Sequence, residues 1–176
     1  MNLERLMINL ILQRFLWMTA LVAAQLLVFN HIHLFQVATP LPFVYLLLLF
    51  PLGTEHWRVL IWGFLCGLLA DITTLTPGVG AAAMTLTAFV QPYLLPLFTP
   101  KDAAEDMEPS YRTMGFWLYA RYAAFLTAIF CACYFMVLAF SFQHLWEWLV
   151  SMLSSWMLTL VLCLILQGFN KKKHED

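Results

Sequence analysis

The amino-acid sequence predicts an all-α membrane protein with about six transmembrane helices, and three observations carry that prediction. Of 176 residues, 62% are hydrophobic and only 11% charged, whereas soluble domains run at roughly 45–50% apolar and about a quarter charged. The mean hydropathy is +0.80. The apolar residues form long runs separated by short polar breaks, the pattern of a polytopic membrane chain. A spanning helix takes about 20 residues, so six spans consume about 120 and leave only short loops. That arithmetic excludes an additional folded domain for nucleotide binding, catalysis or DNA binding. The net charge of −1 says nothing about partners; the placement of the charges does.

The chain, 1–176, reads as one polytopic domain with spans near 12–30, 36–52, 57–75, 79–98, 115–141 and 144–168. Arg5 and Arg14 precede the first, and Val22-Ala23-Ala24 would satisfy a small-residue cleavage rule. The apolar run continues through Gln25 to Phe29, which predicts an uncleaved helix. In the second, Pro40 and Pro42 stand at the start and Pro51 at the end, leaving Phe43 to Phe50 as the firm core. Proline is tolerated in a first turn but not mid-helix, so a short or tilted span after an extended entry is expected. A loop at 99–114 separates the fourth and fifth spans, and a basic tail occupies 169–176. Within the loop, Thr99-Pro100-Lys101-Asp102 reads as a helix start, and the helix would stop at Glu108 before Pro109. Asp102, Glu105, Asp106 and Glu108 make it acidic, as a solvated connector or a docking patch would be.

With six spans, all nine basic residues fall on one face. Arg5, Arg14, Arg58, Lys101, Arg112, Arg121 and Lys171 to Lys173 share it, and the opposite loops, 31–35, 72–78 and around 142–144, contain none. Such an asymmetry predicts that this face, with both termini and the 99–114 loop, is cytoplasmic.

Lipid gives membrane helices no hydrophobic reason to associate, so they pack through small residues that let backbones approach. Gly63 and Gly67 are four apart in the third span. Ala120, Ala124, Ala128 and Ala132 make a complete i+4 series in the fifth, and Ser151, Ser155, Thr159 and Cys163 do so in the sixth. The alanine ridge would serve a neighbouring helix or a separate partner, while Phe125 and Phe130 are expected to face lipid or a looser environment.

Three ionisable residues lie at membrane depth: Asp71, Arg121 and Glu147. Asp71 falls about 21 Å and Arg121 about 9 Å from the cytoplasmic face, too far apart in depth to pair. Arg121 is expected to snorkel to headgroups. Glu147 stands between Trp146 and Trp148 in the first turn of the last span, a favourable place for a carboxylate in an aromatic belt. Asp71 needs an explanation: a carboxylate hydrogen-bonded to the 72–80 loop, or one that meets a partner or ligand. An internal, structural role predicts that Asp71→Asn behaves nearly like the wild type.

Enzyme chemistry finds no foothold. There is no G-x-S-x-G elbow, H-E-x-x-H or phosphate-binding glycine loop. Cys66, Cys131, Cys133 and Cys163 lie inside apolar runs with no loop C-x-x-C, and Cys131 and Cys133 point about 200° apart on a helix. His31 and His33, with His144 on the same side, lack an obvious third ligand. No catalytic set, cofactor site, metal site or nucleic-acid partner is expected.

Gly63-Phe64-Leu65-Cys66-Gly67-Leu68-Leu69-Ala70-Asp71-Ile72, followed by Thr76-Pro77-Gly78-Val79-Gly80-Ala81-Ala82, resembles the most typical stretch of the rod shape-determining protein MreD family. There a glycine-rich third helix ends in an acidic residue and turns through glycine into a small-residue helix. Phe29 to Phe35, then Ala38-Thr39-Pro40, also looks like one branch of the family. Length and span number fit across essentially the whole chain, although the 100–115 insert is longer than in typical members. The resemblance implies a non-enzymatic, multi-pass subunit of the bacterial inner membrane, acting in peptidoglycan synthesis and cell elongation. Its implied partners are an MreC-like periplasmic scaffold, MreB, a RodA-type glycosyltransferase and a class B penicillin-binding transpeptidase. The implied fold is similar to the substrate-binding subunits of energy-coupling-factor transporters, so a vitamin-type uptake subunit is the alternative. Gly63, Gly67, Asp71, Pro77 and Gly78, with the alanine ridge, are the candidate packing or partner residues.

Overall fold

Backbone polar groups at membrane depth must find partners inside their own segment or a closed barrel, which favours helices. The computed structural model describes residues 41–74, 76–100, 107–138 and 145–170, with the single positions 16, 19 and 23, and among these it is helical without strands. A 3-10 turn, Pro42–Val44, runs into a four-residue helix α1, Tyr45–Leu48. Four long helices follow: α2 His56–Thr74, α3 Val79–Phe98, α4 Phe116–Leu138 and α5 Leu145–Asn170.

Three helical segments are long and apolar enough to cross a membrane: Val79–Phe98, Phe116–Leu138 and Leu149–Gly168. Three such spans, where the sequence predicts six, stand among the described residues. α2 has 19 residues and carries His56, Arg58 and Asp71 in an otherwise largely apolar sequence. The first predicted span lies outside the described residues except at Leu16, Thr19 and Ala23, each helical. Of the second, residues 36–40 are also outside. The rest is the 3-10 turn and α1, which ends before Phe50-Pro51 instead of running on to 52.

That short segment is the centre of the molecule. Leu41, Phe43 to Leu48 and Phe50 are fully buried, as expected for a helix that is apolar all round. Phe43 meets the Phe130 ring of α4 edge-on at 5.4 Å, and its carbonyl accepts the Cys66 thiol of α2 at 3.9 Å. The Leu41 amide donates to the Thr159 hydroxyl of α5 at 3.3 Å. Prolines keep the segment short, and its neighbours supply the hydrogen bonds that a longer helix would supply internally.

The long helices pack as antiparallel sequence neighbours, α2 on α3, α3 on α4 and α4 on α5. Arg58, Arg112 and Arg121 therefore share one end of the bundle, and Asp71 lies towards the other. Pro92 and Pro96 sit inside α3, where each removes a backbone donor and frees the carbonyl four residues earlier. The Thr99 hydroxyl donates back to the Leu95 carbonyl of α3 at 2.8 Å, and the helix start expected at Thr99 to Asp102 runs into residues outside the described ones. Met107 to Ser110 are non-helical, so the helix expected to reach Glu108 is not found at its end; Lys101 to Asp106 lie outside the described residues.

The buried face of α4 is Tyr119, Tyr122, Ala123, Leu126, Thr127, Phe130, Cys131 and Tyr134. Ala120, Ala124, Ala128 and Ala132 flank that face and are half-buried. At Ala124 the ridge meets α5, where the Trp156 indole donates to the Ala124 carbonyl at 3.1 Å. Phe125 is exposed as expected, but Phe130 is 0% exposed. The expectation that Phe130 faces lipid is wrong: α1 brings Phe43 up to its ring. In α5, Ser155, Thr159 and Cys163 are buried, Ser151 is half-buried, and the series extends one turn further to buried Gln167.

Candidate functional site

The stretch from Gly63 to Ala82 folds into one helix–turn–helix unit, and its small residues explain how close α2 and α3 come. A methyl group on Gly67 would stand 2.6 Å from the Gly80 carbonyl oxygen and 2.7 Å from the Ala81 Cα. On Gly63 it would stand 2.6 Å from the Ala88 Cβ. Nothing larger than glycine fits at Gly67 without moving a backbone.

This approach delivers Asp71 to the start of α3. The first amides of a helix have no intrahelical acceptor, and their end of the helix carries partial positive charge. The residue before α3 is Gly78, with φ of 87° and no side chain to cap with. Asp71, 7% exposed, supplies the missing acceptor from the previous helix. Its Oδ1 accepts the Gly80 amide at 2.6 Å, and its Oδ2 accepts the Gly78 and Ala81 amides at 3.0 and 2.9 Å. The Thr76 hydroxyl adds a longer bond to Oδ1 at 3.4 Å. These are charge-assisted bonds of the kind that hold a carboxylate out of water.

A hydroxyl shell closes the turn. Thr74 donates to the Ala70 carbonyl at 3.1 Å, and its Oγ1 lies 2.7 Å from that of Thr76. The Tyr134 hydroxyl of α4 interacts with both threonines. Pro77 and Gly78 are exposed at the tip, and a Cβ on Gly78 would meet nothing within 4 Å. The structure therefore brings Gly63, Gly67, Asp71 and Gly78 together, with Pro77 at the surface. The alanine ridge is on another helix and forms no part of this unit.

Sequence reasoning missed a second polar constellation, near the 107–115 segment. Gln167 Oε1 accepts the Tyr45 hydroxyl at 2.8 Å and the Tyr119 hydroxyl at 3.3 Å. Gln91 donates from Nε2 to the Tyr122 hydroxyl at 3.1 Å. The Tyr111 ring meets Tyr119 edge-on at 4.8 Å, and its hydroxyl donates to the Leu164 carbonyl at 2.6 Å. Burial pushes the Tyr111 phenol up to about 12, with the Cys163 thiol adding to the shift. One available signal was the i+4 series on α5, which continues from Cys163 to Gln167.

Among the described residues no group of three His, Cys, Asp or Glu side chains is placed to hold a metal ion. His31, His33, His144 and the Glu147 side chain lie outside them. Arg58 pairs with Glu55 at 2.8 Å on the surface, and Arg121 is exposed. What the Asp71 unit does chemically is hold a turn: every acceptor position it uses is filled from within the chain. No protein family, curated protein or solved structure matches this chain.

Proposed function

We propose that the chain is a non-enzymatic scaffold subunit of the MreD kind, set in the bacterial inner membrane and serving rod-shaped cell elongation. In this reading all six sequence segments contribute to crossing the membrane, the second as a proline-bounded buried insert, with both termini cytoplasmic. The fold is then of the transporter substrate-binding type. The chain binds an MreC-like periplasmic scaffold and acts with MreB, a RodA-type glycosyltransferase and a class B penicillin-binding transpeptidase. One observation carries most weight. The residues that bear the resemblance, Gly63, Gly67, Asp71 and Gly78, act together as one rigid hairpin, so the motif has a shared physical purpose. A rigid, internally satisfied surface suits docking better than chemistry.

The uptake alternative needs polar groups free to converge on a solute at the Asp71 end. Asp71 and Thr74 are instead committed to acceptors and donors of the chain itself, which favours the scaffold reading.

Depletion of the chain in its own bacterium tests the proposal. Rod cells should widen and round, and an affinity-tagged copy should restore them and co-purify the MreC-like scaffold. Rod shape kept through depletion overturns the reading. A reporter after Lys173 should be active only in a cytoplasmic form, and one at Pro77 only in an extracytoplasmic form.

A further inference from the structure

We propose that Arg121 and Trp117, on the outward face of α4, bind the phosphate of an anionic phospholipid. Three cations are described in the structure, and two have partners. Arg58 pairs with Glu55 and lies over the Trp57 ring, and Arg112 has partners of its own. Among the described residues the Arg121 side chain takes part in no hydrogen bond, ion pair or ring contact, yet it stands in the second turn of an apolar spanning helix.

Its surroundings select the ligand. Trp117 and Phe125, one turn to either side, are exposed on the same strip of α4, Trp117 at 75%. No carboxylate of the described residues reaches the guanidinium, and in this proposal the lipid phosphate supplies its counter-charge. At 1.5 Å per residue Arg121 lies about 8 Å inside the helix start, and its side chain reaches back to phosphate depth. Guanidinium matches phosphate bidentately, and an interfacial tryptophan packs against the glycerol and upper acyl chain. A soluble phosphate would forgo the apolar half of this surface, so the occupant is a lipid.

The test uses the full chain in phosphatidylcholine vesicles containing acyl-brominated phosphatidylglycerol or acyl-brominated phosphatidylcholine. Trp117 quenching is read as the difference between the wild type and Trp117→Phe. One basic residue at an anionic lipid surface is worth a factor of about five, so phosphatidylglycerol should reach half-quenching at about one fifth of the phosphatidylcholine fraction. Arg121→Gln should erase that preference, Arg121→Lys should keep part of it, and rising salt should erode it in the wild type. Equal quenching by the two lipids in the wild type overturns the site, as does a preference that survives Arg121→Gln or ignores salt. Loss of the preference on adding inorganic phosphate at constant ionic strength overturns the lipid as occupant. Should Arg121→Gln lose helix content, the salt titration and Arg121→Lys decide alone.

Discussion

Gly67 of α2 lies so close to Gly80 of α3 that a Cβ on Gly67 would come within 2.6 Å of the Gly80 carbonyl oxygen. The obstacle is backbone on a packed helix, which no side-chain rotation relieves. Gly67→Ala should therefore lower stability by about 3 kcal/mol, the upper end for overpacking. Gly78→Ala meets no atom but must hold a φ of 87°, which costs about 1–2 kcal/mol for a residue with a Cβ. Melting in detergent should rank wild type, then Gly78→Ala, then Gly67→Ala. The reverse order would remove the close crossing.

The Asp71 geometry revises what the amide substitution reports. Both carboxylate oxygens accept backbone amides, Oδ1 from Gly80 and Oδ2 from Gly78 and Ala81. An Asn side chain has one acceptor oxygen, and its NH2 would then face N–H donors. With its oxygen kept on the Gly78 and Ala81 amides, Asp71→Asn loses the charge-assisted bond to the Gly80 amide and should thus cost about 1.5–3 kcal/mol. A purely internal role does not predict wild-type behaviour for Asn, contrary to the simple isostere argument. A melting point unchanged in Asp71→Asn would show that the carboxylate does not hold the α3 start. The proposed contact with an MreC-like protein is then judged by the amount of that protein recovered per folded chain.

How much of this was legible follows from what lipid does to a pattern. A carboxylate or paired glycines stand out in an apolar helix, so Asp71, Gly63 and Gly67 could be singled out, and the prolines around Phe43 to Phe50 marked an irregular second segment. Phe130 could not be placed, because lipid and protein interior are equally apolar and the usual in–out periodicity of a helix disappears. Its burial depends on Phe43, 87 residues earlier in the chain. The alanine ridge shows the same limit: small residues mark where a close approach is permitted, while bulky Tyr119, Tyr122 and Phe130 face the core. Gln167 was available as the next step of the Ser155-Thr159-Cys163 series, but a glutamine near a helix end reads as interfacial until its partners are known.

Those partners allow a sharper test of the interior. Gln167, 6% exposed, joins Tyr45 of α1 and Tyr119 of α4 through one carbonyl oxygen, so it ties the central segment to two spanning helices. Gln167→Leu deprives two buried phenols of that acceptor, whereas Tyr45→Phe leaves Gln167 bound to Tyr119. Hydrogen bonds between membrane helices are worth about 0.6 kcal/mol on average and at most about 1.7 kcal/mol, because the reference state also finds partners. The Tyr45–Gln167 pair, short and buried, should sit in the upper half of that range. Gln167→Leu should lower stability more than Tyr45→Phe does. Combining the two should cost about 1 kcal/mol less than the sum of the single effects, since removing both partners leaves fewer orphaned groups than removing one. Unfolding of the four proteins in one detergent measures the coupling. Strict additivity would mean that the Tyr45–Gln167 bond contributes nothing to holding α1 at the centre of the bundle.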